Sequence, residues 1–251
     1  MKKVRPDWLG VDVISFPKLL GLKYHQSSYG VASIAYAEIP SSAISAAIAL
    51  PDSQVLQKTL PSMQSLNEYS DQYALDFRSV DEQILMTATS KATLQSILDR
   101  FPTFQVTIVD TESSCVQRCL QKLFLIESAA YIILLVDQTE CRFYALQQSK
   151  LIFKYREHLS EDVAVSVRRC WQIFTTTITS LSLQQFYLAG DHQGLNSIFE
   201  IVQQITPIPV SIINPFERLS FISPLEKTAW LTRGPAFVVA CGLALRGLSN
   251  E

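Results

Sequence analysis

The side chains best suited to chemistry in this chain of 251 residues are three histidines and five cysteines, and they are scattered. No histidine lies at ligand spacing from a cysteine or a second histidine, and no Cys-x-x-Cys pair occurs. Since zinc and redox sites need such clusters, we expect no metal site and five buried thiols in a reducing compartment. The residues concerned are His25, His158, His192, Cys115, Cys119, Cys141, Cys170 and Cys241.

The sequence motifs of common catalytic sites are also absent. The chain has no Gly-x-Ser-x-Gly, no P-loop and no Gly-x-Gly-x-x-Gly sequence. The segment HLSED at 158–162 places a histidine near two acids, but the apolar periodicity after it predicts a helix capped by Ser160. The basic pair of RRCW at 168–171 is typical of a solvated helix face. The sequence therefore predicts a protein that is not an enzyme.

Composition favours a well-buried α/β protein, because 48% of the residues are hydrophobic and 18% are charged. The net charge of −2 gives no attraction to nucleic acid or anionic lipid. The first residues are basic, but Asp7 and Asp12 interrupt the apolar core that a signal peptide needs. The most apolar windows, 129–136 and 235–245, are shorter than the roughly 20 residues that span a bilayer. We therefore expect a cytoplasmic protein.

Hydrophobic periodicity and turn residues predict alternating strands and helices. The predicted strands are 8–15, 19–26, 30–39, 53–60, 82–89, 104–110, 130–137, 141–147, 150–157, 184–190 and 209–216. The predicted helices are 41–48, 62–77, 91–101, 112–127, 160–179, 194–205 and 235–247. The last of these is predicted to be a buried core helix that begins at Pro235 and ends at Gly247.

The order of these elements predicts an internal duplication. In each half a three-strand meander precedes a crossover, and the first half also holds a small α/β insert. This is the arrangement of the actin-like, ribonuclease-H-like α/β fold. We assign 1–60 and 107–128 to the first actin-like subdomain, 61–106 to the inserted subdomain and 129–251 to the second actin-like subdomain.

Seven segments, in order along the chain, resemble the PilM family of type IV pilus assembly proteins, which are cytoplasmic and actin-like. The closest are the segment INPFERLSF at 213–221 and the helix PAFVVACGLALRG at 235–247. The others are 10–15, 49–61, 106–120, 134–146 and 186–198. Compared with the family, this chain is trimmed, as are the short ComA and HofM relatives. The resemblance implies that a lobe which helps to hold adenine is missing before the helix at 160.

The resemblance also implies where a nucleotide would bind, in loops that follow strands. The positions here are Asp12, Ser15, Lys18, Asp137 and Gly190. All three loops depart from the family pattern, since Ile14 and Gln138 stand where glycines are usual and Asp191 brings an acid toward the polyphosphate. We interpret the five positions as vestigial and expect no cofactor.

A partner is implied as well. In the PilM family a short cytoplasmic tail of the inner-membrane protein PilN lies in a groove between the first subdomain and its insert. The insert keeps its predicted order of elements here, whereas the nucleotide loops have changed. The residues predicted to line the groove are Leu56, Leu60, Tyr69, Tyr73 and Phe77.

The resulting hypothesis is a non-catalytic cytoplasmic adaptor of a type IV pilus, competence or DNA-uptake machine, held at the inner-membrane face by a PilN-like protein. Two alternatives stay open. One is a nucleotide-binding actin-like ATPase that uses Asp12, Ser15, Lys18 and Asp137. The other is a cytoplasmic component of a type II secretion-like assembly, against which the short apolar windows count.

Overall fold

A computed structural model of the chain describes residues 8–12, 18–25, 28–36, 45–54, 56–60, 72–80, 83–100, 102, 105–126, 130–148, 150–221 and 227–249. The strands are β1 Trp8–Asp12, β2 Lys18–His25, β3 Ser28–Tyr36, β4 Ser45–Leu50, β5 Leu56–Leu60, β6 Tyr73–Val80, β7 Gln83–Ser90, β8 Gln105–Thr111, β9 Ala130–Val136, β10 Glu140–Gln147, β11 Lys150–His158, β12 Gln185–Ala189, β13 Val210–Ile212 and β14 Ser220–Phe221. The helices are α1 Lys91–Leu98, α2 Glu112–Phe124, α3 Val163–Thr177, α4 Leu195–Ile205, α5 Pro215–Arg218, α6 Lys227–Leu231 and α7 Val238–Ser249. Short 3-10 turns cover Asp52–Gln54 and Gly234–Phe237.

Two large sheets repeat one arrangement, as the sequence predicts. The first has the order β14-β3-β2-β1-β4-β8, with β1, β2 and β3 antiparallel and β4 parallel to β1. The second has the order β11-β10-β9-β12-β13, with β9, β10 and β11 antiparallel and β12 parallel to β9. In both sheets a meander is therefore extended by a parallel strand that arrives through a crossover, which is the predicted duplication.

A third, three-stranded antiparallel sheet with the order β5-β7-β6 lies in the chain between β4 and β8. Helix α1 follows β7 and begins at Ser90, whose side chain accepts a hydrogen bond from the Thr93 N–H, as predicted for this cap. Strand β5 pairs with β7, so residues 56–60 share a sheet with the predicted insert.

Helix α7 joins the two halves, because it packs on β1, β2, β4 and α2 and contributes to the core that includes one face of β9. Its close packing depends on small residues. A Cβ on Gly242 would lie 1.9 Å from the carbonyl oxygen of Cys115 in α2, and one on Gly10 would lie 1.9 Å from that of Ala240. Phe237, together with every residue of α7 as far as Leu245, is buried. The prediction of a buried core helix is confirmed for this segment. On the other face of the second sheet, α3 and α4 cover a separate apolar core.

The predicted helix at 41–48 is wrong in its described part. Residues 45–50 form β4, which lies between β1 and β8 and runs parallel to both. The alanine-rich sequence favours a helix by local propensity, but Ala46 to Leu50 are all buried. A strand covered on both faces has no polar alternation to reveal it.

The end of the predicted helix at 62–77 is also wrong. Residues 61–71 lie outside the described part of the chain, and residues 73–80 form β6. Tyr73, Leu75 and Phe77 alternate with smaller or polar residues in YALDFRSV. This period of two favours a strand and outweighs the helical spacing that starts earlier in the segment.

Two predicted helix boundaries need correction. Helix α3 is capped by Asp162, whose carboxylate accepts from the Ala164 N–H, whereas the Ser160 hydroxyl donates to the Asp162 carbonyl oxygen. Helix α7 continues past Gly247 to Ser249. Gly247 is needed there for packing, because a Cβ would lie 2.0 Å from the indole ring of Trp8.

Candidate functional site

The predicted vestigial nucleotide positions converge on one cavity between the two large sheets. Asp12 ends β1, Lys18 begins β2, Asp137 follows β9 directly and Gly190 follows β12 directly. All four line the cavity. Ser15 lies outside the described residues. The structure thus brings together chain segments from both halves at the carboxyl ends of β1, β9 and β12, where α/β sheets commonly bind ligands.

Lys18 is held inside this cavity by carboxylates. Its Nζ lies 3.1 Å from Oδ2 of Asp191 and 3.7 Å from Oδ2 of Asp12. Only 3% of the Lys18 side chain is exposed. A lysine at this place could attract phosphate, but its charge is already balanced by two acids in a buried environment.

Asp137 shapes the turn between β9 and β10. Its Oδ1 accepts hydrogen bonds from the N–H groups of Thr139 and Glu140 and from the Thr139 hydroxyl, at 2.8–3.0 Å. Its Oδ2 contacts the guanidinium of Arg142 at 2.5 Å. Burial acts to raise the pKa of Asp137, but Arg142 and the turn N–H groups lower it below its ordinary value.

Arg142, on β10, is the centre of a buried network that the sequence interpretation missed. Its guanidinium contacts Asp137, Oε1 of Glu140 at 2.7 Å and Oε1 of Glu112 at 2.9 Å. The Tyr144 hydroxyl donates to Oε2 of Glu112 at 2.6 Å. The sequence did contain a signal, because Glu140, Arg142 and Tyr144 alternate with apolar residues beside the all-apolar strand β9.

Glu112 is fully buried, and its pKa is raised from an ordinary 4.5 to about 7. Burial is the main cause and overcomes the opposing effects of Arg142 and the Tyr144 hydrogen bond, while Asp12 and Asp52 raise it further. Asp52 itself accepts from the N–H and hydroxyl of Ser113. Acidic groups therefore outnumber cations around this cavity.

Glu112 leads us to expect stability that decreases as the pH rises. Between pH 4.5 and about 7 the folded protein binds more protons at Glu112 than the unfolded chain does, since its pKa is higher in the folded state. The free energy of unfolding should therefore fall over this interval, by on the order of 3 kcal/mol from this group alone. In denaturant titrations from pH 5 to 8, the free energy of unfolding should fall less for the Glu112→Gln variant than for the parent protein. Parallel curves for the two proteins would contradict the assignment.

Gly190 is required by packing. Its φ is +122°, and a Cβ would lie 2.0 Å from the carbonyl oxygen of Val136. Its N–H donates to the carbonyl oxygen of Pro235 at 3.0 Å, and the N–H of His192 donates to that of Val136 at 3.2 Å. These N–H groups are thus used within the fold, although a loop of this kind could otherwise present them to phosphate.

The cavity offers little room for a nucleotide. It encloses about 250 Å³, part of which is open to solvent, below the roughly 300–1,000 Å³ of small-molecule pockets. Three carboxylates and two cations line it, and they are those of Asp12, Asp137, Asp191, Lys18 and Arg142. Within the described ranges, no group of three or more histidine, cysteine or carboxylate side chains is arranged to hold a metal ion.

Comparison with known proteins finds a family likeness in the second half of the chain. Residues 157–248 match a family model described as type IV pilus assembly protein PilM. The matched residues make up most of the second half of the chain, which is therefore similar to PilM in sequence. A comparison with curated proteins gives no match.

Solved structures extend the PilM likeness to the whole fold. A PilM–PilN type IV pilus biogenesis complex aligns with a TM-score of 0.73 and 16% identity, over 98% of this chain and 99% of that chain. A protein of actin-like ATPase fold from Bacteroides thetaiotaomicron aligns with a TM-score of 0.53 and 6% identity, over 83% and 91%. The ethanolamine utilization protein EutJ from Carboxydothermus hydrogenoformans aligns with a TM-score of 0.53 and 11% identity, over 94% of this chain and 88% of that chain. The predicted actin-like fold class is confirmed.

The positions predicted to bind a PilN-like tail lie on the two edge strands of the small sheet. Leu56 and Leu60 are on β5, and Tyr73 and Phe77 are on β6. The register with β7 places all four positions on one face, opposite alternate residues of β7. Tyr69 lies outside the described residues. The partner role of these positions stays a prediction.

Two of these side chains can be described further. Leu56 is 44% exposed. Tyr73 is half-buried and packs against Met86 and Ala88, which are buried on β7. Leu56 is therefore available for a contact, whereas Tyr73 already helps to stabilise the small sheet. In the part of the chain that the structure describes, no helix is long and apolar enough to cross a bilayer.

Proposed function

We propose that this chain is a PilM-like, non-catalytic cytoplasmic adaptor of a type IV pilus or DNA-uptake machine. In this role it binds the short cytoplasmic tail of a PilN-like inner-membrane protein and is thereby held at the inner-membrane face. The observation that carries the proposal is the likeness, along nearly the whole chain, to a solved PilM–PilN type IV pilus biogenesis complex. The proposed contact surface is the groove beside the small sheet, where Leu56 is exposed.

The cavity supports the non-catalytic part of the proposal. Lys18 and Arg142, the cations that line it, are both engaged by carboxylates. Polyphosphate would have to displace these carboxylates and enter a region with an excess of acid, which costs free energy. The remaining loop glycine, Gly190, is explained by its contact with β9.

Nucleotide should therefore have no measurable effect on the protein. We expect no ATP hydrolysis and an affinity for Mg-ATP no tighter than millimolar. Since a ligand stabilises a protein in proportion to the logarithm of its occupancy, saturating Mg-ATP should leave Tm unchanged relative to magnesium alone. Differential scanning fluorimetry and phosphate release would measure both. A rise of several degrees would contradict the non-catalytic assignment.

The tail itself provides the direct test. A synthetic peptide of the cognate PilN-like tail should bind with a micromolar Kd, roughly −7 to −8 kcal/mol. An extended peptide can pair with an edge strand and place alternate side chains in apolar pockets. Isothermal titration calorimetry or fluorescence anisotropy would detect this. No signal at about 100 μM peptide, where such a complex would be mostly formed, would overturn the adaptor proposal.

A matched pair of variants tests the surface. Leu56→Glu should weaken tail binding about tenfold or more, because burying one leucine contributes roughly 1.5–3 kcal/mol. Val165→Glu is the control, since Val165 has the same 44% exposure but lies on α3 in the second half. If the two variants bound the peptide with equal affinity, β5 would not be part of the binding surface.

A further inference from the structure

Buried polar contacts at the cavity and beside it join one half of the fold to the other. Lys18 belongs to β2 in the first sheet, and Asp191 follows β12 in the second. Glu112 begins α2, which packs on α7 and the first sheet, and it contacts Arg142 and Tyr144 of β10 in the second sheet. Each of these contacts therefore connects a residue of the first half of the fold with a residue of the second half.

These contacts are shielded from solvent. The exposed fractions of the side chains are 3% for Lys18, 7% for Asp191, 8% for Arg142 and 1% for Glu112. In such surroundings the attraction between opposite charges is screened little. Separation of the two halves at this place is therefore opposed directly by the loss of the ion pairs.

The groups of the two halves contact one another directly. Lys18 Nζ to Asp191 Oδ2 is 3.1 Å, Arg142 Nε to Glu112 Oε1 is 2.9 Å and Tyr144 Oη to Glu112 Oε2 is 2.6 Å. Each is a direct contact across the boundary between the sheets.

We propose that Lys18, Asp191, Glu112, Arg142 and Tyr144 form an internal latch that holds the two halves of the fold at one degree of closure without a bound ligand. In this proposal, contacts between side chains of the protein itself fix the position of one sheet relative to the other. The latch is independent of whether a PilN-like tail binds, because none of its residues lies on the small sheet. Its release would let the halves move about their shared apolar core, which includes α7 and one face of β9.

Two conservative substitutions should weaken the latch without unfolding the protein. Asp191→Asn removes one charge and Tyr144→Phe removes one hydroxyl, and both keep the side-chain shape nearly unchanged. The distance between the halves can be measured by electron paramagnetic resonance with nitroxides at Thr107→Cys on β8 and Arg168→Cys on α3. Both positions are exposed. All five native cysteines are buried, so the labels will attach to the introduced ones.

We expect one narrow distance distribution for the parent protein at pH 8, where Glu112 is charged. The Asp191→Asn, Tyr144→Phe double variant should give a broader distribution shifted to longer distances, with each single variant in between. The control is Arg169→Gln, which breaks an exposed ion pair with Glu157 inside the second half and should change nothing. Circular dichroism would verify folding.

The result that overturns the latch is an unchanged distance distribution in a folded double variant. An unfolded double variant would overturn it as well, because a latch sets the closure of two halves whose apolar cores remain intact. The measurement contains no peptide and no nucleotide, so its outcome is separate from that of the adaptor proposal.

Discussion

A chain that ends before Pro235 is expected to be insoluble. The missing segment includes α7, which packs on three strands of the first sheet and on α2. Phe237, Val238, Cys241 and Leu245 are each at most 1% exposed. Their burial contributes on the order of 6–12 kcal/mol, comparable to the whole stability of a typical domain. Without them the apolar face of β1 and β2 would be exposed to water and would promote aggregation.

The experiment compares expression in the soluble fraction with that of a chain ending after Ser249, which keeps α7 complete. This longer chain should be soluble and should unfold cooperatively. The same truncation tests whether the apolar segment is a membrane anchor. Removal of an anchor would leave the shortened chain soluble and no longer bound to membranes. A soluble shortened chain with a cooperative thermal transition would contradict the packing described here.

Replacement of Gly190 by alanine is expected to cost roughly 2–6 kcal/mol of the free energy of unfolding. About 1–3 kcal/mol comes from forcing a side chain to a φ of +122°, and a similar amount from the contact with Val136 O at 2.0 Å. The effect should appear without any ligand, because the glycine is required by the fold. Urea unfolding monitored by tryptophan fluorescence would measure it.

Gly194→Ala is the matched control, in the same loop and with a φ of −89°. The nearest atoms to a Cβ there belong to the His192 ring at 3.2 Å, and a side chain can move aside more easily than backbone. We expect a change within about 1 kcal/mol for this variant. If Gly190→Ala were equally harmless, the glycine would not be explained by packing and a role in binding a ligand would have to be reconsidered.

Much of the fold could be predicted from local sequence patterns. The all-apolar run at Ala130–Val136, the hairpin that follows it and the helix capped by Thr111 were all recognised, because periodicity and capping are local properties. The actin-like fold followed from the order of the elements. Strand β4 was missed because its local helix propensity was overridden by burial between two parallel neighbours.

For the candidate site as well, the sequence indicated some features and not others. The sequence by itself determined which residue types stand where the PilM pattern has loop glycines, and that an acidic residue, Asp191, follows Gly190. The family resemblance pointed to Asp12, Lys18, Asp137 and Gly190 as loop positions, and in the structure these four residues line one cavity. The polar alternation of Glu140, Arg142 and Tyr144 marks one face of β10 as polar, but it does not say which cavity that face lines.

Only the tertiary structure decided what these residues do for one another. Lys18 could have remained at a solvated strand edge, but the packing of the two sheets places it beside Asp191. Glu112 would have an ordinary pKa at an exposed helix N-terminus, and its burial beside Arg142 and Tyr144 changes that. The physical reason is that strand and helix formation depend on neighbours in sequence, whereas ion pairing and desolvation depend on distances in space between segments far apart in the chain.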